Sequence, residues 1–377
     1  MEKIWVNSGD SHYMEPPDFW QQALPSKLAE RMPRSVKDPD ERWETVYVDG
    51  QTLRRPIPLI ARRRDADGLT MVERNMTRAP GVTDLKQRLK DQDDEGVWGE
   101  IIYPSLGMWN TIIKDPVLVR EAVKGSNAWC ASELQGFSPR FITPAQVSML
   151  SVEDAVAEVE RAAGIGLKAV FMPSTPPEGI DDLHEESWDP LWSAIEDAGM
   201  VVTFHIGGSS EDISPYRGRG GAIMNWVAAA YGGQKAVYKM VASGVLDRHP
   251  GIKVLVSEGG ASWVPFLGDR MNEAYRQLGM FVKPKLSLTP KEILYRQVYA
   301  SFQHDESAVQ AMTGMGYQNV MWGSDYPHVE GTFGHTQETL HELFDGVPDE
   351  VRHRVTIGSF LDLFPQVGEP PVESVAA

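Results

Sequence analysis

A single cysteine, Cys130, stands in a chain of 377 residues, so no internal disulfide can form and a reducing compartment is the natural home. Positive charge is scarce too: 36 Lys and Arg face 53 Asp and Glu, for a formal net charge of -17. That balance repels nucleic-acid phosphates and anionic membrane surfaces alike, which leaves a small molecule as the expected partner. No apolar run approaches the roughly 20 residues that a bilayer span needs. The first strand begins near Ile4, so no leader segment is expected before it and the reading is cytoplasmic. Internal repeats and low-complexity tracts are missing as well.

What is present is a 42% hydrophobic chain, enough for a large core, with short β-branched runs alternating with helical stretches. Strands are expected near Ile4-Trp5-Val6, Glu100 to Pro104, Phe141 to Val147, Lys168 to Pro173, Val201 to His205, Lys253 to Glu258, Gln297 to Phe302 and Val320 to Asp325. Helical spacing is clearest over Asp84 to Asp94, Val152 to Ala163, Trp188 to Ala198 and Gln234 to Ser243. Eight parallel strands with a crossover between each pair imply an α/β fold, a (β/α)8 TIM barrel, which takes about 250 residues. One domain over residues 1–365 is the economical reading, with a flexible tail at 366–377. Residues 33–83 show no clean period and include Arg62-Arg63-Arg64; they are expected to form a long insertion between strands 1 and 2, folding over the rim. A basic run there is usually a solvated face, though it could catch a carboxylate.

Several of these strands finish in nitrogen or oxygen ligands. Asp10 and His12 are two apart, so on a strand both side chains point the same way and can reach one ion. His205 ends the fifth strand and Asp325 the eighth, which is what a metal site on the carboxyl-terminal rim requires. Glu258 ends the sixth and His304 follows the seventh, so both are candidates for the site as ligands or catalytic groups. The bland alternatives are a hydrogen-bonded Asp–His pair, a salt-bridged Glu258 and a loop His304. His328, three residues past Asp325, is placed to orient substrate or a ligand. Tyr103, Trp109 and Trp263 could line the pocket, or simply pack. His184, His249, His335, His341 and His353 lie away from strand ends, and Cys130 reads as a buried small hydrophobe.

These motifs, from Asp10-Ser11-His12-Tyr13-Met14-Glu15-Pro16 through Gly96-Val97, Phe204-His205, Ser257-Glu258-Gly259-Gly260 with Trp263, and Trp322-Gly323-Ser324-Asp325-Tyr326-Pro327-His328, resemble the amidohydrolase-related family of metal-dependent barrels. The branch is the one that includes aminocarboxymuconate-semialdehyde and resorcylate decarboxylases. The resemblance covers most of the chain. It implies that Asp10 and His12 are the first-strand ligand pair, His205 the fifth-strand ligand, and Asp325 the residue that binds metal or takes a proton from metal-bound water. The chain departs from that pattern in three places. Glu258 stands where the decarboxylases place a histidine, His304 is not a standard ligand, and Ser359-Phe360 replaces the family's Asn-Ala.

Two mechanisms follow. In the first, one divalent ion, Zn or Mn, supports hydrolysis or nonoxidative decarboxylation of a small carboxylate-bearing molecule, with Asp325 or Glu258 handling the proton. In the second, Asp10, His12, His205, Glu258, His304 and Asp325 hold two ions, iron or an iron-manganese pair, and activate dioxygen with a reductase partner. A third reading is a non-catalytic metal-binding subunit. A homo-oligomer, or a heteromer with a related barrel, is expected because such barrels often pair across their helices.

Overall fold

The structure is a computed structural model that describes residues 2–371 apart from 41–42, 57–61, 65–69, 73–78, 105–108, 208–215, 217 and 329. Eight parallel strands carry the chain around a barrel. They are β1 (Val6–Ser8), β2 (Val97–Ile101), β3 (Phe141–Ile142, interrupted at Thr143 and resuming as Pro144–Gln146), β4 (Ala169–Phe171), β5 (Val201–His205), β6 (Val254–Ser257), β7 (Val298–Phe302) and β8 (Val320–Trp322). Each pairs with the next in parallel register. Backbone bonds between the first and last strand segments close the ring: Gly9 N–H donates to Trp322 O at 2.9 Å and Asp325 N–H to Asp10 O at 3.0 Å.

Alternation along each strand divides the core in two. Val202, Phe204, Val254, Val256, Ala300, Phe302, Val320 and Trp322 face the surrounding helices, in one buried cluster with Leu191, Trp192, Met240 and Ile293. Their inward neighbours, Ala169, Val201, Leu255, Tyr299 and Met321, fill the barrel itself. Strands buried on both faces read as continuous apolar runs, which is how these segments look in sequence. The helix Ser359–Leu363 closes the end at which the strands begin, adding Phe360, Leu363 and Phe364 to the interior cluster. With that end sealed, access is left to the opposite rim.

The expected helices form, at Leu85–Glu95, Val152–Gly164, Asp189–Asp197 and Tyr231–Ala242. Asp84 caps the first by accepting from Lys86 N and Gln87 N, and Gly96 ends it at φ 79°. The segment without a clean period instead holds an antiparallel sheet, Arg34–Lys37, Trp43–Val48 and Gln51–Pro56. Its hairpin turns at Asp49-Gly50, both with positive φ. These strands are mostly exposed or half-buried, so no apolar face marked them in the sequence. Val48 and Trp109 pack with Phe19 and Trp20 in a satellite core. Arg62–Arg64 pair as a short strand with Thr70–Val72, while their side chains lie outside the described residues, as do residues 372–377 of the expected tail. No helix among the described residues is long and apolar enough to cross a membrane.

Candidate metal centre

Each candidate ligand sits at or just past the end of a strand, where the backbone leaves the barrel. Asp10 and His12 follow β1, His205 is the last residue of β5, Glu258 follows β6 and Asp325 follows β8. Their side chains converge. His205 Nε2 lies 3.0 Å from Asp10 Oδ1 and 3.6 Å from Glu258 Oε2, while His12 Nε2 lies 3.7 Å from Asp10 Oδ1 and 3.3 Å from Asp325 Oδ1. Three overlapping sets, Asp10 with His12 and His205, His12 with Asp325 and His328, and Asp10 with Glu258 and Asp325, each bring their ligand atoms within 4.8 Å of one another.

Chemistry and geometry fit a divalent cation. Asp10 Oδ2, Asp325 Oδ2 and His12 Nε2 are buried without a hydrogen-bond partner, a costly arrangement unless something else satisfies them. His205 Nδ1–H donates to Ile206 O at 2.7 Å, which fixes the tautomer of the neutral ring and turns the Nε2 lone pair toward the Asp10 carboxylate. Only a proton or a cation between those two atoms makes the contact attractive. The donors are nitrogen and oxygen with no thiolate, a set suited to zinc or manganese.

Burial and mutual repulsion tune the group. Burial, reinforced by the charge of His328, lowers His12 to about 4 and keeps it neutral, the form that ligates. Burial also pushes Glu258 well above the carboxylate range, helped by the negative charges of Asp325 and Asp10. Burial would raise Asp325 as well, but the His12 ring 3.3 Å away and the hydrogen bond from His328 hold it below the usual range. For His205 burial opposes the charge, and the adjacent Asp10 more than offsets it. His328 is pushed up to about 9, burial working against its charge and the Asp325 hydrogen bond at 2.8 Å prevailing. Its ring lies over that of His12, centroids 4.1 Å apart.

Two ligand-side residues hold unusual backbone. Glu258 has φ 58° and Asp325 φ 52°, left-handed values that cost a non-glycine residue about 1–3 kcal/mol and cluster at functional sites. Ser301 accepts the Glu258 N–H at 3.0 Å, one of the contacts that keep Glu258 in place.

Other expected site residues fall into place unequally. Tyr103 is buried beside His205, ring centroids 4.7 Å apart, and its hydroxyl meets Ser257 Oγ at 2.7 Å. Trp263 starts the helix Trp263–Gln277, and its indole N–H is taken by Gly260 O at 2.8 Å. His304 is not brought into the cluster. Ser301 faces the barrel and Phe302 the helices, so two-residue alternation carries Gln303 inward and His304 outward. There it is exposed, stacked on His335 and within 3.3 Å of Glu330 O. Cys130 is half-buried at the start of the π-helix Cys130–Gln135, its thiol pushed up to about 12 by burial. The sequence reading missed Arg88, which is fully buried against the backbone of His12; a cation on a helix otherwise marked by Leu85 and Leu89 was the available signal.

Comparisons with known proteins agree with the barrel fold. A family described as Amidohydrolase matches residues 104–358. A 2-amino-3-carboxymuconate-6-semialdehyde decarboxylase of Dictyostelium discoideum is 26% identical over 217 residues, 54% of this chain, and the match spans only 56% of that protein's length. An amidohydrolase of Mycobacterium avium subsp. paratuberculosis K-10 shares the fold with TM-score 0.77 at 22% identity, over 97% of this chain and all of that one. A dihydroxybenzoic acid decarboxylase of Polaromonas sp. JS666, solved with bound manganese, superposes with TM-score 0.61 at 14% identity, over 97% of this chain and 98% of that one.

Proposed function

The chain belongs to the amidohydrolase family, and from that premise we propose that it is a metal-dependent carboxy-lyase acting on a small carboxylate-bearing molecule. One divalent ion, zinc or manganese, would be held by Asp10, His12, His205 and Asp325. The observation that carries this is the set of orphaned buried atoms, Asp10 Oδ2, His12 Nε2 and Asp325 Oδ2, within one constellation of nitrogen and oxygen donors. When bound, the ion supplies Lewis-acid polarisation of a substrate oxygen and absorbs negative charge as it develops.

The chain's own residues supply the rest. Decarboxylation breaks a carbon–carbon bond and leaves an electron pair on carbon that must take a proton. Glu258, whose carboxyl is pushed well above the usual range by burial and by its anionic neighbours in the metal-free chain, is the acid placed to give it. His328, cationic through Asp325, offers a hydrogen bond and a positive charge to the substrate carboxylate at the open side of the site. Tyr103 walls the site beside His205, and Trp263 contributes its ring face, since its N–H is already used. The relatives named decarboxylases support this reading over hydrolysis of an amide or ester. The dinuclear oxygenase alternative loses its sixth ligand, because His304 faces away from the other five.

The test is metal content by elemental analysis of protein purified without added metal, followed by a screen of aromatic and unsaturated acids for carbon dioxide release. About one zinc or manganese per chain with release from at least one acid is the expected result. Amide or ester hydrolysis without carbon dioxide would replace the carboxy-lyase reading with a hydrolase. Full activity in metal-stripped protein would overturn both.

A further inference from the structure

We propose that Arg88 is a positioning residue: its buried guanidinium fixes the backbone that carries the ligands on both sides of the β1–β8 seam. The proposal rests on the metal centre described above and adds a residue that touches none of the ligand atoms.

Arg88 projects from the helix Leu85–Glu95 and is 0% exposed. Its Nη1–H donates to His12 O at 2.7 Å and its Nη2–H to Ser11 Oγ at 3.0 Å. Nε and Nη2 pair with the Glu100 carboxylate, itself 1% exposed, so four hydrogen bonds leave the fork. The guanidinium plane also lies against the Tyr326 ring, 4.8 Å from its centre. Tyr326 follows the ligand Asp325, its carbonyl accepts the His12 N–H at 2.6 Å, and its hydroxyl is held by Asp91 Oδ2 at 2.7 Å on the same helix. Ser11 is tied in turn to Ile101 O at 2.7 Å. One side chain therefore touches the peptide of a first-strand ligand and the residue beside the eighth-strand ligand.

Stability alone does not account for such a pair. Replacing a buried ion pair with apolar residues of similar volume is often neutral or stabilising, because the desolvation cost disappears with the charges. What apolar residues cannot do is hold the His12 carbonyl and Ser11 hydroxyl in place. Metal affinity is sensitive to such outer contacts, whose loss typically weakens binding 10- to 100-fold.

The double variant R88M/E100M in the full chain separates the two roles, because it leaves no orphaned charge. Zinc affinity is measured by competition with a chromophoric chelator, the cobalt(II) visible spectrum reports ligand geometry, and the thermal midpoint is taken on metal-free protein. The expected result is a folded protein with a midpoint close to wild type, zinc binding weakened about 10- to 100-fold and shifted cobalt bands. Wild-type affinity and spectrum in the folded double variant would overturn the positioning role alone. A wild-type chain that takes up no zinc overturns the centre itself and the role with it. Should the double variant not fold, S11A carries the test: it removes one acceptor of the guanidinium and leaves the ion pair, several-fold weaker zinc binding is expected, and unchanged affinity overturns the proposal.

Discussion

His205 joins the two halves of the centre, lying within 3.0 Å of Asp10 and 3.6 Å of Glu258 while its other ring nitrogen is spent on a backbone carbonyl. His205→Ala should remove bound metal while the far-ultraviolet circular dichroism stays that of a folded barrel; stoichiometric metal in that variant would sink the ligand assignment. Glu258→Gln keeps the shape of the side chain and abolishes proton donation. Metal content should be retained while kcat falls by about 10²- to 10⁴-fold, the range for a lost general acid. His328 gives a pH test with a definite sign. Its pKa is raised from 6.5 to about 9 in the folded chain, so its contribution is fully present below about pH 6.5 and lost as pH rises through 9. His12, lowered to about 4, acts the other way under acid, and the comparison must isolate His328. The thermal-midpoint difference between metal-free wild type and His328→Gln should therefore shrink between pH 6.5 and pH 9; a constant difference would refute the linkage.

Among the elements, the helix Leu85–Glu95 was legible almost to the residue from Leu85, Leu89 and the flanking Asp84 and Gly96. What its inner face does was not legible. Arg88, Asp91 and Gln92 are buried there, polar residues that an amphipathic pattern assigns to solvent. Asp84→Ala should cost about 1 kcal/mol through loss of the cap, read by denaturant unfolding, and should leave zinc binding much nearer wild type than the Arg88 variants do. The three-stranded sheet from Arg34 to Pro56 escaped notice for a different reason. Its strands are exposed or half-buried, so no inward-facing period exists to be read.

Across the whole molecule, the barrel separates a sealed floor from the rim that carries the candidate metal centre. Phe360, at a position where the resembling family has a different residue, is 0% exposed among Ile101, Ala169, Leu255 and Met321. Phe360→Ala should cost about 3–5 kcal/mol by opening a cavity there, measured by denaturant midpoint, with zinc affinity unchanged. A loss of metal in that variant would show that floor and rim are coupled through the barrel. The eight strands, their order and the strand-end positions of Asp10, His12, His205, Glu258 and Asp325 were readable from sequence, because apolar runs and two-residue alternation are local properties of the chain. Tertiary structure alone decided that His304 faces outward, that His328 lies over His12, and that Arg88 reaches the peptide of His12. Those outcomes depend on where the backbone turns after each strand ends and on contacts between residues 26 or more positions apart, such as His304 with Glu330 and Arg88 with His12, and no local pattern carries that information.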